Sequence, residues 1–215
     1  MDDLPKLEIE GGEWYLAVPP PAMPVPAAHL PPELHGKPAM ASIPGVGVLH
    51  DMRVVGDAHR DSAGTWLHLV PELDFWRSQY ESGQQMAPRR LPIDWVYIEH
   101  RLPYEPPSPG DPPPPPPPLA GDPRALLRRL SPRPDLPGGR MPVPARTVGH
   151  LHGRRIIQVT PLGFAWDLRA VSEPYEDANH DVVVRLTSVP EYYRWVLTGA
   201  DPDPAPVNLY LLWTE

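Results

Sequence analysis

Five residues have the types and spacing for metal chemistry. In Asp-Ala-His-Arg-Asp, the residues Asp57, His59 and Asp61 alternate, so an extended backbone would put two carboxylates and an imidazole on one face. His150 and His152, in His-Leu-His, alternate in the same way. Such ligands suit a zinc, manganese or iron ion that acidifies a bound water, and a metal-dependent hydrolase is therefore one reading of the chain. Comparison of the two halves argues against it. His150 falls opposite Val48, and Asp57, His59 and Asp61 have no counterpart, so no metal site and no cofactor are assigned. The acidic run from Tyr175 to Asp181 reads as a solvated turn. Motifs for a serine nucleophile, a helical zinc site or a phosphate loop are missing, and without cysteine there is no thiolate. No catalytic residue is nominated, and the chain reads as a non-enzyme.

Residues suited to holding a partner are better represented. Asp-Pro-Arg-Ala-Leu-Leu-Arg-Arg-Leu, from Asp122, has an N-cap acid, a first-turn proline and Leu126, Leu127 and Leu130 on one side, which predicts a short amphipathic helix over 123–130. Its leucines, with Arg128 and Arg129 between them, form one candidate partner surface; Trp66 and Trp95 are aromatic anchors for another. Eight arginines gather between Arg124 and Arg155. A third reading, single-stranded nucleic-acid binding, would use them with the two tryptophans. No aromatic residue is interleaved among those arginines to stack a base, so nucleic acid is not an expected partner.

Composition bounds the rest. A formal charge of −8 disfavours polyanions and anionic membranes. No segment has the length and apolarity of a membrane span, and the acidic start lacks the features of a signal peptide. The expected setting is cytoplasmic, or a virion if the gene is a phage's. Two lysines, Lys6 and Lys37, among nineteen basic side chains point to GC-rich bacterial or phage coding. The 36 prolines crowd into Pro19 to Pro44 and Pro103 to Pro144, where regular helix or central strand is not expected. Seven in a row, Pro112 to Pro118, favour a polyproline II spacer. The seven tryptophans and eight tyrosines lie mostly elsewhere and can fill folded cores.

The elements that must position these residues are written as echoes. Val-Gly-Val-Leu-His-Asp-Met-Arg-Val-Val from Val46 resembles Val-Gly-His-Leu-His-Gly-Arg-Arg-Ile-Ile from Val148, pairing His50 with His152 and Arg53 with Arg155. The reading makes the histidine a core residue and the arginine a surface one. A second echo joins Val70–Gly83 to Val189–Gly199, each a strand running into Val-Pro-Glu and a short helix with a glycine stop. Ser188 and Glu191 add a capping box in the second copy alone. The third joins Leu91–Glu99 to Ala205–Trp213 as a closing strand. The run from Leu162 to His180 looks like an inserted hairpin arm, whose counterpart is a displaced strand at Glu10–Pro19.

The expected fold is α+β: two tandem related small modules, each a mainly antiparallel sheet with one short helix, joined by a proline-rich linker. Boundaries are expected at 1–45 (acidic strand and proline-rich segment), 46–102 (first module), 103–145 (linker with the 123–130 helix) and 146–215 (second module). The function expected is non-catalytic: a protein-binding or assembly protein, such as an adaptor, a phage virion or accessory component, or an inhibitor or immunity protein. Its partner is another protein, with assembly into a homo-oligomer compatible.

Overall fold

A computed structural model describes residues 22–83, 85–101, 142–160 and 163–215. The expected strand at Glu10–Pro19, the polyproline run and the 123–130 helix lie outside the described residues. The described residues form two antiparallel sheets of seven strands each, with one α-helix following a strand of each sheet.

The first sheet holds β1 (Ala22–Pro26), β2 (Pro38–Ile43), β3 (Gly47–Val54), β4 (His59–Asp61), β5 (Gly64–Pro71), β6 (Arg89–Pro92) and β7 (Val96–Arg101). Its order is β1-β7-β2-β3-β5-β4, with β6 also on β5. Helix α1 (Glu72–Tyr80) follows β5 directly. The second sheet holds β8 (Val143–Pro144), β9 (Arg155–Thr160), β10 (Gly163–Ala170), β11 (Tyr175–Glu176), β12 (Val182–Ser188), β13 (Ala205–Asn208) and β14 (Leu212–Thr214). It runs β8-β14-β9-β10-β12-β11, with β13 also on β12 and helix α2 (Val189–Thr198) after β12. The two orders match strand for strand. In each sheet one 3₁₀ turn, Ile93–Trp95 or Leu209–Leu211, carries the chain from a strand at one side to a strand near the other. The sheet thereby curls around its core.

Strand alternation explains those cores. Ala39 and Ala41, Met52 and Val54, Leu67 and Leu69, Leu91, Val96 and Ile98 are buried on one side of the first sheet. Ile156, Ala170, Val184, Leu186 and Leu212 do the same in the second. A register shift interrupts β2–β3 between Ala39 and Ala41, and another interrupts β9–β10 between Ala165 and Leu168. At each shift an aspartate takes the left-handed conformation, Asp51 at φ 54° and Asp167 at φ 60°. Aspartate tolerates that region better than most residues, and a bulge re-aims the side chains after it. Two positions beyond each stands an arginine, Arg53 or Arg169, pointing away from the core of its sheet.

Several expectations are corrected. The first sheet includes residues well before Val46: the proline-rich stretch supplies β1 and the central strand β2. Pro38 is tolerated as the first residue of β2, and Pro24 and Pro26 lie on a strand at the sheet's edge, where missing donors do least harm. The segment read as an inserted arm is β10 and β11, which occupy the places of β3 and β4. The opening echo is out of register: Val148–Arg154 precede β9, whereas Gly47–Val54 form β3. By strand order β3 corresponds to β10 and β2 to β9. Pairing of Arg53 with Val70 and of Arg169 with Thr187 likewise moves the helix echo by two residues.

The helix ends agree with the expected chemistry in the second half. Ser188 accepts a bond from the Glu191 N–H, and Gly199 closes α2 at φ 72°. Helix α1 has Pro71 at its N-cap and no side-chain cap. Gly83 is not its stop: Glu81 occupies the C-cap in extended conformation, and Gly83 lies in the turn beyond.

Candidate functional site

The residues expected to bind a metal do not meet. Asp57 and His59 are exposed, and Asp61 is occupied, accepting bonds from the N–H groups of Ala63 and Gly64, from Trp66 Nε1 and from Arg90. His150 and His152 belong to a loop and a turn rather than a strand. The His150 imidazole lies 3.5 Å from Glu173, while that of His152 stands edge-on to Trp195. Among the described residues no group of three or more His, Cys, Asp or Glu side chains could hold a metal ion. Trp66 lies half-buried on β5 and Trp95 packs against the first core from the 3₁₀ turn. Leu126, Leu127, Leu130, Arg128 and Arg129 lie outside the described residues.

The concentrated chemistry sits between the two sheets. Glu72, the first residue of α1, is 2 % exposed and lies at the positive end of its helix. Its Oε1 accepts Arg53 Nε at 2.9 Å and Nη2 at 2.5 Å. Its Oε2 accepts Arg169 Nη2 at 2.6 Å, Arg155 Nη2 at 3.2 Å and the Tyr193 hydroxyl at 3.3 Å. One carboxylate of the first half thus gathers an arginine from its own sheet and two from the other.

Each guanidinium is also held from behind. Arg53 Nη1 donates to the Gly36 carbonyl at 2.8 Å, and Arg169 Nη1 to the Gly153 carbonyl at 2.7 Å. Gly36 and Gly153 supply those carbonyls from turns at φ 75° and 79°, a conformation that glycine takes without strain. Arg155, which opens β9, lies 2.7 Å from Glu99, 3.4 Å from Asp51 and 3.5 Å from Glu215. Around this centre Trp76 stacks on Tyr80 and on Tyr193, with ring centroids 6.0 Å apart in both cases. The Tyr80 hydroxyl donates to the Pro190 carbonyl at 3.2 Å, joining α1 to α2. Arg53 lies over Trp76 at 5.5 Å and Arg169 over Tyr193 at 5.4 Å.

This is a near-two-fold arrangement. Pro71 pairs with Met52, and Ser188 pairs with Leu168. By that register Trp76 and Tyr193 occupy equivalent places, five residues on, and they stack on each other. Side chains that meet their own equivalents lie close to a symmetry axis.

Electrostatics decides what the junction can do. Burial alone would push the Glu72 carboxyl up, but Arg155, Arg53 and Arg169 together hold it down to about 2. Burial disfavours the charge on Arg155, yet Glu99 and Glu72 more than offset this and raise its pKa. Burial and the Glu72 charge push the Tyr193 hydroxyl up to about 12. None of these three exchanges a proton near neutral pH, as acid–base catalysis requires. A cavity of about 10 Å³ lined by Arg155, Trp166, Asp167, Val189 and Glu215 has room for about one water. The arrangement acts as a clamp between the halves.

Sequence reading placed Arg53 and Arg155 on the surface; each is 7 % exposed. It overlooked Glu72 and Arg169 as interacting residues. Three signals in the chain point to the correct register: Met-Pro-Val-Pro-Ala at 23–27 and again at 141–145, Leu-His-Gly at 34–36 and 151–153, and Asp-x-Arg at 51–53 and 167–169. Comparison of the chain with protein-family models, curated proteins and solved structures finds no match.

Proposed function

We infer that the chain is a non-catalytic protein-binding or assembly protein, of the kind that serves as an adaptor, a phage virion or accessory component, or an inhibitor or immunity protein. In this reading its body arose by duplication of one module, and the proline-rich stretch between the halves is a linker. The observation that carries the reading is the junction itself. The buried, strongly interacting charges of the described residues are spent on joining two halves, with Glu72 at their meeting point and ionised at neutral pH.

Duplication is supported by the matching strand orders, the two left-handed aspartates and the two arginine–glycine carbonyl bonds. Fusing two such modules doubles the presented surface without association entropy, an advantage for a binder and of no use to a single active centre. The test is reciprocal capture of the tagged full chain and its candidate partner from the native host, with metal analysis of the purified protein. One partner at fixed stoichiometry is expected. A stoichiometric zinc, manganese or iron together with metal-dependent hydrolysis of an ester or phosphoester would overturn the reading.

A further inference from the structure

We propose that the outer face of the second sheet is the docking site of the stretch Glu10–Pro19, which leads toward β1, so that the first half reaches across and covers the second. On β9, Ile156 fills the core, and Arg155, Ile157 and Val159 alternate to the other face. On β14, Leu212 faces the core, while Trp213, paired with Ile157, belongs to the outer cluster. Phe164 of β10 pairs with Val159 and meets Trp166 at a ring-centroid distance of 6.0 Å.

This face is apolar and deeply buried. Ile157 is 2 % exposed, Val159 0 % and Trp213 4 %. Among the described residues, the partly buried apolar side chains packed against them are Phe164, Trp166 and Leu211, all from the same sheet or from the 3₁₀ turn that enters β14. Side chains of one layer stand side by side and leave their outer ends open, so burial this deep requires a second layer. From the first half, Glu72, Glu99 and Asp51 reach this face at Arg155, its charged end. The apolar end calls for apolar residues above it.

Route and chemistry both select Glu10–Pro19 as the occupant. Ala22 pairs with Arg101 and Pro24 with Glu99, whose carboxylate lies 2.7 Å from Arg155. The chain therefore arrives at β1 beside the charged end of the row that Ile157 and Val159 continue. From Arg155 to Val159 is about 13 Å at the rise of a strand, and ten residues can span about 33 Å, so the stretch is long enough. Trp14, Tyr15, Leu16, Ala17 and Val18 are consecutive apolar or aromatic residues. An aromatic ring buries about 150–250 Å², so two of them can shield three side chains. The other long stretch outside the described residues, 102–141, leaves β7 from the same corner but holds a single aromatic residue, Tyr104. Docking of Glu10–Pro19 ties the halves together a second time, away from Glu72, and keeps an aromatic face from other chains.

Two measurements on the full chain test this. In the first, Tyr15 is replaced by the photoreactive benzoylphenylalanine, and the irradiated protein is mapped by peptide mass spectrometry. Links within one molecule to residues 155–166 or 211–214 are expected. No link, links to the first sheet or to residues 102–141, or links between two copies would overturn the proposal. In the second, hydroxyl-radical footprinting compares the wild type with Trp14→Ser/Tyr15→Ser, which removes both rings. Oxidation of Trp166 and Trp213 should rise about threefold or more, while Trp95, packed on the first core, stays within about twofold. Unchanged oxidation of Trp166 and Trp213 in a variant that circular dichroism finds folded would also overturn it. Should that variant not fold, the photo-crosslink decides alone.

Discussion

Replacing Glu72 by glutamine keeps the shape of the junction and removes its central charge. The side chain is 1 % exposed, so solvent does not screen the loss. A carboxyl held at about 2 rather than 4.5 favours its charged form in the fold by about 3 kcal/mol. Breaking a buried ion pair from one side costs about 3–5 kcal/mol, because the partner charges stay buried without compensation. An amide can still accept from Arg53 or Arg169, so a loss near the lower figure, about 3 kcal/mol, is expected at pH 7. Urea unfolding of the full chain, followed by tryptophan fluorescence, measures it.

The pH dependence follows from the lowered pKa. The ionised carboxylate stabilises the fold fully above its unfolded value, near 4.5, and that contribution is lost as pH falls toward about 2. The gap between wild type and Glu72→Gln should therefore be constant from pH 7 down to about 5 and close below it. A difference under about 1 kcal/mol at pH 7 would mean that desolvation cancels the attraction. That result, or a gap unchanged in acid, would refute the description of Glu72 as the clamp.

Other perturbations test the surrounding parts. Tyr193→Phe removes a hydroxyl shared with Glu72 and Arg169 and should cost about 1 kcal/mol in the same unfolding assay. In the wild type, absorbance titration should find one tyrosine ionising near 12, with stability that is complete below pH 10 lost as pH rises through that range. Gly36→Ala and Gly153→Ala both strain a left-handed turn, at about 1 kcal/mol. Gly153→Ala should lower the melting midpoint further, because its new methyl would meet the Tyr192 hydroxyl at 3.0 Å, whereas the nearest atom at Gly36 is 3.7 Å away. Ser188→Ala removes the cap of α2 and should cost about 1 kcal/mol by urea unfolding.

What was legible in the sequence was local. Two antiparallel sheets with a helix apiece follow from alternating apolar strands running into Val-Pro-Glu, and the Ser188 cap follows from its spacing to Glu191. Register was harder to read, because β-rich segments share valine, leucine and isoleucine, and a chance likeness between Val46–Val55 and Val148–Ile157 outweighed shorter, more exact repeats. Glycine and proline carry more register information here than the apolar residues do. Leu-His-Gly marks the turn whose carbonyl holds an arginine, and Met-Pro-Val-Pro-Ala marks the strand before the first 3₁₀ turn of each half. Proline density misled for the opposite reason. It argues against regular helix and central strand, yet the first residue of the central strand β2 is Pro38, a position that accepts it. The convergence on Glu72 was illegible, since it joins residues up to 121 positions apart and arginine alone gives no sign of burial.

The junction is symmetric in backbone and asymmetric in charge, and the asymmetry selects the pairing. By strand register Arg53 corresponds to Arg169, but Glu72 corresponds to Val189 and Arg155 to Pro38. Two copies of the first half brought together the same way would present two carboxylates at position 72 and lack Arg155. Two copies of the second would bury Arg155 and Arg169 twice, with Val189 where the first half has the Glu72 carboxylate. Only the unlike pair puts Glu72 against Arg155 and Arg169 together, at 3.2 and 2.6 Å. Unpaired buried charge penalises the like pairings by more than the aromatic stack of Trp76 and its equivalent can return. A chain carrying two halves of similar strand order is exposed to exchange between molecules, and the difference at positions 72 and 155 directs each half to the other.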